Sequence, residues 1–400
     1  MKKVVVGISG GVDSSVSAYL LKQQGYDVVG LFMINWHDTT GTLEGDCPWE
    51  DDLLLAKLVA RKLDIPLHTV DLSDEYRKRV VNYMFSEYEK GRTPNPDVLC
   101  NREVKFDLFV KEALNLGADY VATGHYCRKD EEKTANGLMH RLLAGRDLNK
   151  EQSYFLCQLS QEQLSKALFP VGGIHKHEVR KIAEEQDLAT ATRKDSQGIC
   201  FVGKVDLPTF LQQKLEPRRG RIIEVDEDWY AANKKIVDVE DAEKYTDKEL
   251  INVCTPHQLN PGIGKQVGLH NGAHFYTLGQ NKGLNIGGRP KPSFVIALDT
   301  KKNLLYTGLG KEHAGLYRPG LMIANKEVHW IRPDKALKPG ESAKYNVRIR
   351  YRQPLQKARL IQRKDNLFII FDRPQRSITP GQFAAWYKDE ELLGSGPILI

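Results

Sequence analysis

Residues 4–15 read Val-Val-Val-Gly-Ile-Ser-Gly-Gly-Val-Asp-Ser-Ser, and Val16-Ser17-Ala18-Tyr19-Leu20-Leu21 follows directly. A short β-branched run, a glycine-rich turn and then helical periodicity predict a strand, a loop and a helix. Gly10 and Gly11 let the backbone approach an anion with no Cβ in the way, while Ser9, Ser14 and Ser15 add hydroxyl donors. The helix then aims its positive end at that anion, as phosphate cradles do. No Lys-Ser/Thr pair follows, so this is not a Walker-type loop. An ordinary glycine-rich turn is the plainer alternative.

Working outward, apolar strands over 3–8, 27–34, 67–72 and 119–123 alternate with helical patterns near 14–24, 50–64, 74–90 and 102–116, with Gly25 and Gly117 as stops. This rhythm predicts an α/β domain, a doubly wound parallel sheet covered on both faces. Ligands bind beyond the carboxyl ends of such strands, so the loops after residues 8, 34 and 123 should share a rim. A helix is expected over 175–189 and a glycine-containing loop over 193–200. The rhythm ends near residue 205. Three domains follow: 1–205, a small strand-rich domain over 206–292, and a C-terminal antiparallel β-barrel over 293–400. The central domain should use Arg221–Ile223 and His274–Thr277 as strands. The barrel should use 294–298, 304–307, 321–324, 344–351, 357–362, 367–371 and 383–387.

Composition narrows the class. With 400 residues, 41% hydrophobic and 28% charged, the chain reads as soluble and globular. It shows no membrane-length apolar run and no signal peptide, so a cytoplasmic protein with no membrane partner is expected. Six cysteines form no Cys-x-x-Cys pair, so no zinc or iron–sulfur cluster is expected. The net charge of +6 is concentrated between Glu341 and Arg363, where seven bases meet one acid. Stretch 226–250 holds nine acids against four lysines. It reads as a peripheral, mobile insertion or as an ordinary acidic surface helix.

Two cysteines are framed for chemistry. In Arg92-Thr93-Pro94-Asn95-Pro96-Asp97-Val98-Leu99-Cys100-Asn101, two prolines stiffen the approach and Asn101 is a natural N-cap for helix 102–116. A thiol at a helix start is a candidate nucleophile, although a lone cysteine also serves as buried filler. Asp97 suits proton transfer or a hydrogen bond to a base. In Arg193-Lys194-Asp195-Ser196-Gln197-Gly198-Ile199-Cys200, two basic residues precede the cysteine and favour its thiolate. Cys47, Cys127, Cys157 and Cys254 lack such framing and read as structural.

These segments, with Ala122-Thr123-Gly124-His125-Tyr126, Lys150-Glu151-Gln152-Ser153-Tyr154-Phe155-Leu156, Thr277-Leu278-Gly279-Gln280 and Arg350-Tyr351-Arg352-Gln353, resemble the bacterial tRNA-specific 2-thiouridylase (MnmA) family. The phosphate loop is similar to the pyrophosphate loop of AMP-forming ATPases. The resemblance implies ATP-dependent replacement of O2 of the tRNA wobble uridine by sulfur, with AMP and pyrophosphate released. It implies ATP contacts at Gly7, Ile8, Ser9, Gly10, Gly11, Val12, Asp13, Ser14, Met33 and Gly124. Asp13 would organise Mg²⁺ or pyrophosphate. Asn95, Pro96 and Asp97 would line the target-base pocket, and tRNA contacts would fall on His125, Lys150, Glu151, Gln152, Arg350, Tyr351 and Gln382. Cys200 would carry a persulfide and Cys100 would form a redox disulfide with it, although Cys100 as the direct thiolating group fits nearly as well. The implied partners are tRNA and a sulfur donor, either a cysteine desulfurase or a persulfide relay protein.

Family members pass from Arg221 to Phe275 in fewer residues, which marks 226–262 as an acidic insertion. Competing readings are another pyrophosphate-loop synthetase, such as an amidotransferase or a lysidine-type tRNA ligase, and a tRNA-binding protein with a vestigial loop. AMP release that depends on tRNA separates the thiolase from both a metabolite synthetase and a binding module. Strand alternation over Val347–Arg352 predicts that Arg348, Arg350 and Arg352 share one face, ready for phosphates.

Overall fold

The computed structural model describes residues 1–38, 48–135, 137–195, 198, 200 and 206–400. Strands β1 (Lys3–Gly7), β2 (Asp27–Ile34), β3 (Leu67–Asp71) and β4 (Tyr120–Ala122) pair in parallel in the order β3-β2-β1-β4. The chain then makes a hairpin, β5 (Cys127–Thr134) and β6 (Gly137–Ala144), and returns to the sheet as β7 (Ala167–Leu168) beside β4. Alternate strand residues serve two layers. Val4, Val6, Val28 and Phe32 pack on Val12 and Val16 of helix α1 (Val12–Gln23) and on Ala56 and Val59 of α2 (Pro48–Leu63). Val5, Val29, Leu31 and Val121 meet Phe106 and Phe109 on the other face. Burial on both faces is why these strands read as continuous apolar runs.

Strands β2 and β4 flank β1 on opposite sides, so the strand order reverses between β1 and β4, the kind of switch point at which such sheets bind ligands. Helix α3 (73–89) and helix α4 (96–115) each contain a widened π-type stretch, Arg77–Val81 and Asn101–Leu108. Helix α4 therefore starts at Pro96, not at residue 102. Asn95 caps it by accepting from the Val98 N–H at 3.1 Å, and Pro96 occupies the first helical position. Asn101 lies inside the helix, and the N-cap role expected for it belongs to Asn95. Helix α5 spans Lys176–Glu185.

Strands β8 (Gly220–Val225), β9 (Gly264–His270), β10 (Ser293–Asp299) and β11 (Leu304–Leu309) form the central sheet in the order β10-β11-β8-β9. This moves the expected boundary. Strand β11 pairs with β8, Leu304–Thr307 in register with Arg221–Glu224, and β10 pairs with β11, so residues 293–309 join the central sheet rather than opening the barrel. His274–Thr277 is not a strand, since Ala273–Phe275 closes into a 3-10 turn.

The C-terminal antiparallel sheet begins at β12 (Tyr317–Ala324). It continues with β13 (His329–Trp330), β14 (Ser342–Arg348), β15 (Gln356–Gln362), β16 (Asn366–Arg376), β17 (Phe383–Lys388) and β18 (Glu391–Pro397). Its order β12-β16-β15-β14-β17-β18 is extended by β6 and β5 of the first domain, through Glu391 opposite Leu143 and Leu392 opposite Leu142. No sequence signal linked that hairpin to this sheet. Fully buried Arg332 fastens the join, bonding Asp334 at 2.7 Å, Glu132 at 2.8 Å and also Glu391.

The acidic stretch also differs from expectation. Ala242, Leu250, Val253 and Cys254 pack on Met322, Phe368 and Ile370. Above them Glu240 pairs with Lys344 at 2.6 Å, Glu243 with Arg359 at 2.7 Å and Asp247 with Arg363 at 3.1 Å. Three bases of one segment thus pair with three acids of the other, and the insertion is docked rather than loose. Among the described residues no helix is long and apolar enough to cross a membrane.

Replacing Arg332 with Leu leaves Asp334 and Glu391 without their buried counter-charge, a loss of about 3–5 kcal/mol. Arg141→Leu removes a half-exposed pair with Glu391 and should cost under about 1 kcal/mol. Thermal unfolding of the two variants should separate accordingly, with the 127–144 hairpin becoming protease-sensitive only in the first.

Candidate active site

The loop after β1 is held by its own hydroxyls. Ser14 Oγ donates to the Gly11 carbonyl at 3.0 Å and accepts from the Ser9 N–H at 3.2 Å, and Ser15 Oγ donates to the same carbonyl at 2.9 Å. Gly10 has φ of +72°, and a Cβ there would lie 2.5 Å from the Asp52 carbonyl of α2. A Cβ on Gly124 would come within 2.8 Å of the Asp13 and Ser14 backbone. The loops after β1 and β4 therefore touch, as the expected rim requires. Gly7 lies against Phe109, Ile8 and Val12 are core residues, and Met33 is half-buried at the end of β2.

Asp13 faces a cation. Its oxygens accept from Lys176 Nζ at 2.6 and 2.8 Å, and Oδ1 also accepts from the Tyr126 hydroxyl at 2.7 Å. Lys176 also reaches Asp195 at 2.8 Å, and Asp195 is further paired with Arg180 at 2.9 Å and with Lys150. Burial pushes the Asp195 carboxyl up, but these cations overcome it and hold it at about 2. Among the described residues no group of three or more metal-ligating side chains converges. A single carboxylate such as Asp13 fits Mg²⁺ held mainly through substrate phosphates, not a resident metal centre.

The two framed cysteines meet, although 100 positions apart. Cys100 Sγ lies 3.6 Å from Cys200 Sγ, and both are free thiols. Asp97 Oδ1 accepts the Cys200 N–H at 3.0 Å, and the Tyr76 hydroxyl donates to the Cys200 carbonyl at 2.6 Å. Burial pushes the Cys100 thiol well up. The Cys200 thiol is lowered, first by the hydrogen bond from Cys100 and then, against burial, by the Lys105 ammonium. Burial also raises the Asp97 carboxyl, against the Cys200 N–H and Lys105.

The Cys200 thiol is therefore the one shifted toward thiolate, and Cys100 the one shifted away from it. The helix start expected to activate Cys100 lies a full turn upstream. The cation at Cys200 is Lys105 rather than its sequence neighbours, since Arg193 is drawn off to Asp52 at 2.7 Å. Residues 196, 197 and 199 of that motif, and Cys47, lie outside the described residues. Cys127, Cys157 and Cys254 are fully buried, consistent with structural roles.

The segment before Asp97 is gripped by the other two domains. Gln382 Nε2 donates to the Thr93 and Pro94 carbonyls at 3.1 and 3.0 Å, and its Oε1 accepts from Asn95 at 3.3 Å. The Thr93 hydroxyl lies 3.2 Å from that of Thr277 in the central domain. Pro96 and Asp97 stay partly exposed beside this junction.

The expected tRNA contacts divide. His125 is only 8% exposed and bonds Thr123 at 2.7 Å, and burial lowers it well below its usual range, with Lys105 adding to the effect. Glu151 is buried and accepts from Arg348 at 2.7 Å, while Gln152 accepts from the Tyr126 N–H at 3.0 Å. Lys150 has its ion pair with Asp195.

The shared arginine face is overturned, because β14 ends at Arg348 and the chain then turns, with Arg352 at φ of +62°. Arg348 is committed to Glu151, and Arg350 to the Arg376 and Ser377 carbonyls. Arg350, Tyr351 and Arg352 instead line a surface pocket of about 470 Å³ with Arg373 and Arg376. There the Nε and one terminal nitrogen of Arg376 are buried without a partner.

Sequence reasoning missed Tyr76, Lys105 and Lys176. Lys105 is five positions from Cys100, off its face in a regular α-helix, and the widened i→i+5 turns bring it round. No local signal marks that widening.

The description tRNA methyl transferase HUP domain matches residues 2–204. The tRNA methyl transferase PRC-barrel domain matches 251–309, and the aminomethyltransferase β-barrel domain matches 321–398. The stretch 226–250 lies between the first two matches. The chain is 58% identical over its whole length, and the whole of the relative, to the tRNA-specific 2-thiouridylase MnmA of Flavobacterium johnsoniae. It is 59% identical, again with both chains fully covered, to that of Christiangramia forsetii. The similarity to that of Shouchella clausii is 44%, covering 99% of this chain and 96% of the relative.

The thiol assignment has a direct readout. Alkylation by iodoacetamide, followed peptide by peptide across pH, should give Cys200 a lower midpoint than Cys100. Lys105→Met should move the Cys200 midpoint upward, and an unmoved midpoint would remove Lys105 from the thiolate site.

Proposed function

This chain belongs to the tRNA-specific 2-thiouridylase family, and on that footing we propose that it replaces O2 of the tRNA wobble uridine with sulfur at the expense of ATP. The observation that carries the reading is the apposition of Cys100 and Cys200 over Asp97, linked through Asp195 and Lys176 to the phosphate loop. A carbonyl oxygen is a poor leaving group, so the loop from Gly7 to Ser14, with Met33 and Gly124 at its rim, holds ATP for attack by O2 on the α-phosphorus. Pyrophosphate departs and leaves O2 as an adenylate. Asp13 would hold Mg²⁺ brought with the nucleotide, which would supply neutralisation of the departing charge.

Sulfur arrives at Cys200 as a persulfide from a donor protein, a cysteine desulfurase or relay protein. Its terminal sulfur attacks C2 of the uracil, and AMP leaves carrying O2. The Cys100 thiol, losing its proton to Asp97 or water, then attacks Cys200 Sγ. The S–S bond to the substrate breaks, its electron pair stays on the substrate sulfur, and 2-thiouridine is released with a Cys100–Cys200 disulfide. An external thiol reductant resets the pair. Closing that disulfide requires the sulfurs to move from 3.6 Å to about 2 Å.

Asn95, Pro96 and Asp97 form one wall of the target-base pocket, supported from behind by Gln382. The pocket at Arg350, Tyr351, Arg352, Arg373 and Arg376 takes tRNA phosphate, which would partner the unbonded Arg376 nitrogens. Lys150 and Gln152 take further tRNA contacts, while buried His125 and Glu151 act as supports.

Mass spectrometry of tRNA wobble nucleosides after incubation with ATP, Mg²⁺ and a persulfide donor tests the reading, and absence of 2-thiouridine would refute it. Cys100→Ser and Cys200→Ser should each abolish the product, whereas Cys157→Ser should retain most activity. Asp13→Asn should lose tRNA-dependent AMP formation while still binding tRNA. For the arginine pocket, Arg352→Ala with Arg373→Ala should flatten the slope of log affinity against log salt by roughly 1.5 units.

A further inference from the structure

The outer face of the C-terminal sheet carries a row of bases that the fold covers with acids. Along β15, Ala358 and Leu360 point into one core, whereas Lys357, Arg359 and Ile361 stand on the other side. Lys344 of β14 lies directly opposite Arg359 in the register, and Asn346 opposite Lys357. Like charges held opposite one another repel. Bases two positions apart on a strand stand about 6.5–7 Å from one another, close to the phosphate spacing along an RNA strand. Left bare, such a face is a strip for binding polyanions.

The acidic stretch lies on this strip and meets it in two ways. Apolar contact attaches it, since Leu250, Val253 and Cys254 of the helix Asp247–Cys254 are buried on Met322, Ile361, Phe368 and Ile370, with Ala242 in the same cluster. Two of the bases reinforce the attachment through backbone carbonyls. Arg359 Nε donates to Val239 at 3.0 Å, and Arg363 donates to Glu243 and Tyr245 at 2.7 and 3.3 Å. The carboxylates come on top of this. Glu240 accepts from Lys344 at 2.6 Å and lies 3.4 Å from Arg359, Glu243 meets Arg359 at 2.7 Å, and Asp247 meets Arg363 at 3.1 Å. The three acids are 68%, 44% and 59% exposed, and pairs so open to water add under about 1 kcal/mol each to stability. Their effect on the surface field is larger than their effect on the fold.

We propose that the acidic stretch is a counter-charge shield, which withholds Lys344, Arg359 and Arg363 from RNA phosphate and keeps RNA from being held on the outer face of the C-terminal sheet. Non-specific RNA binding is driven by release of the counterions that phosphates gather when a base neutralises them. A phosphate approaching this face finds each base already neutralised and must displace a seated carboxylate. The exchange trades one ion pair for another, so the salt-dependent gain is lost. The shield acts where the chain is most basic, with seven bases against one acid between Glu341 and Arg363. Without it, RNA of any sequence would have a second place to bind, away from the two cysteines.

The inference rests on the reading of this chain as an RNA-modifying protein, and its test needs neither ATP nor sulfur. The full-length parent and a variant carrying Glu240→Gln, Glu243→Gln and Asp247→Asn are titrated with poly(U) and with tRNA across a salt series. The apolar seat and the carbonyl bonds remain in the variant, so circular dichroism and limited proteolysis across 226–254 should match the parent. Poly(U) affinity near 0.1 M salt should rise about tenfold, and the slope of log affinity against log salt should steepen by roughly 1–2 units. A control with the same change in charge, Glu227→Gln with Asp228→Asn and Asp241→Asn, neutralises acids of the same stretch that lie outside these pairs. Its slope should stay within about 0.5 unit of the parent.

An unchanged poly(U) slope in the first variant would overturn the shield, as would an equal steepening in the control, which would reduce the effect to net charge. Should the first variant fail to fold, Glu240→Gln alone decides, because Glu240 reaches both Lys344 and Arg359. A single substitution there that leaves poly(U) affinity and slope where they were sinks the proposal. Failure of the parent to bind tRNA at all would instead refute the reading of the chain as a tRNA enzyme, and the poly(U) series would still decide the shield.

Discussion

The grip of Gln382 on Thr93, Pro94 and Asn95 is the interaction on which the site depends. It fixes the residue that caps helix α4, and that helix carries Asp97, Cys100 and Lys105. One amide from the C-terminal domain thereby sets the origin of the chemistry in the N-terminal one. The central domain adds Thr277 to the same point. Three domains converge on a segment of a few residues, so none of them alone can present a complete site.

Electrostatics follows the same logic of shared partners. Carboxylates and cations that look surplus in their own segments find each other across the chain. Glu151 with Arg348, Glu240 with Lys344, and Arg332 with Glu132 and Glu391 each join elements from different parts of the sequence. The buried pairs among these offset the cost of desolvation only because both partners are present. They specify how the domains sit more than they add to stability.

The cysteine pair divides labour by environment. Both thiols are sheltered and Lys105 lowers both, yet Cys200 also has the hydrogen bond from Cys100, whereas burial outweighs the Lys105 charge at Cys100. The two thiols are thus pushed in opposite directions, Cys200 down and Cys100 up.

The sequence by itself determined the strand–loop–helix at residues 3–23, the parallel sheet and the two cysteine segments, because each rests on local chemistry. β-branched runs, glycines at a tight turn and framed thiols act within a few residues of one another. The widened helix, the exchange of the 127–144 hairpin into the C-terminal sheet and the docking of the acidic stretch were decided only in three dimensions. So were the partners of the arginines. A salt bridge spanning 197 positions, as between Glu151 and Arg348, leaves no periodic trace in either segment. Strand alternation misplaced the arginines because it assumes the strand continues, whereas β14 ends at Arg348 and the chain turns, with the Ile349 N–H donating to Gln353. Lys105 and Lys176 were illegible for the same reason: a lysine acquires meaning from the charges the fold brings to it.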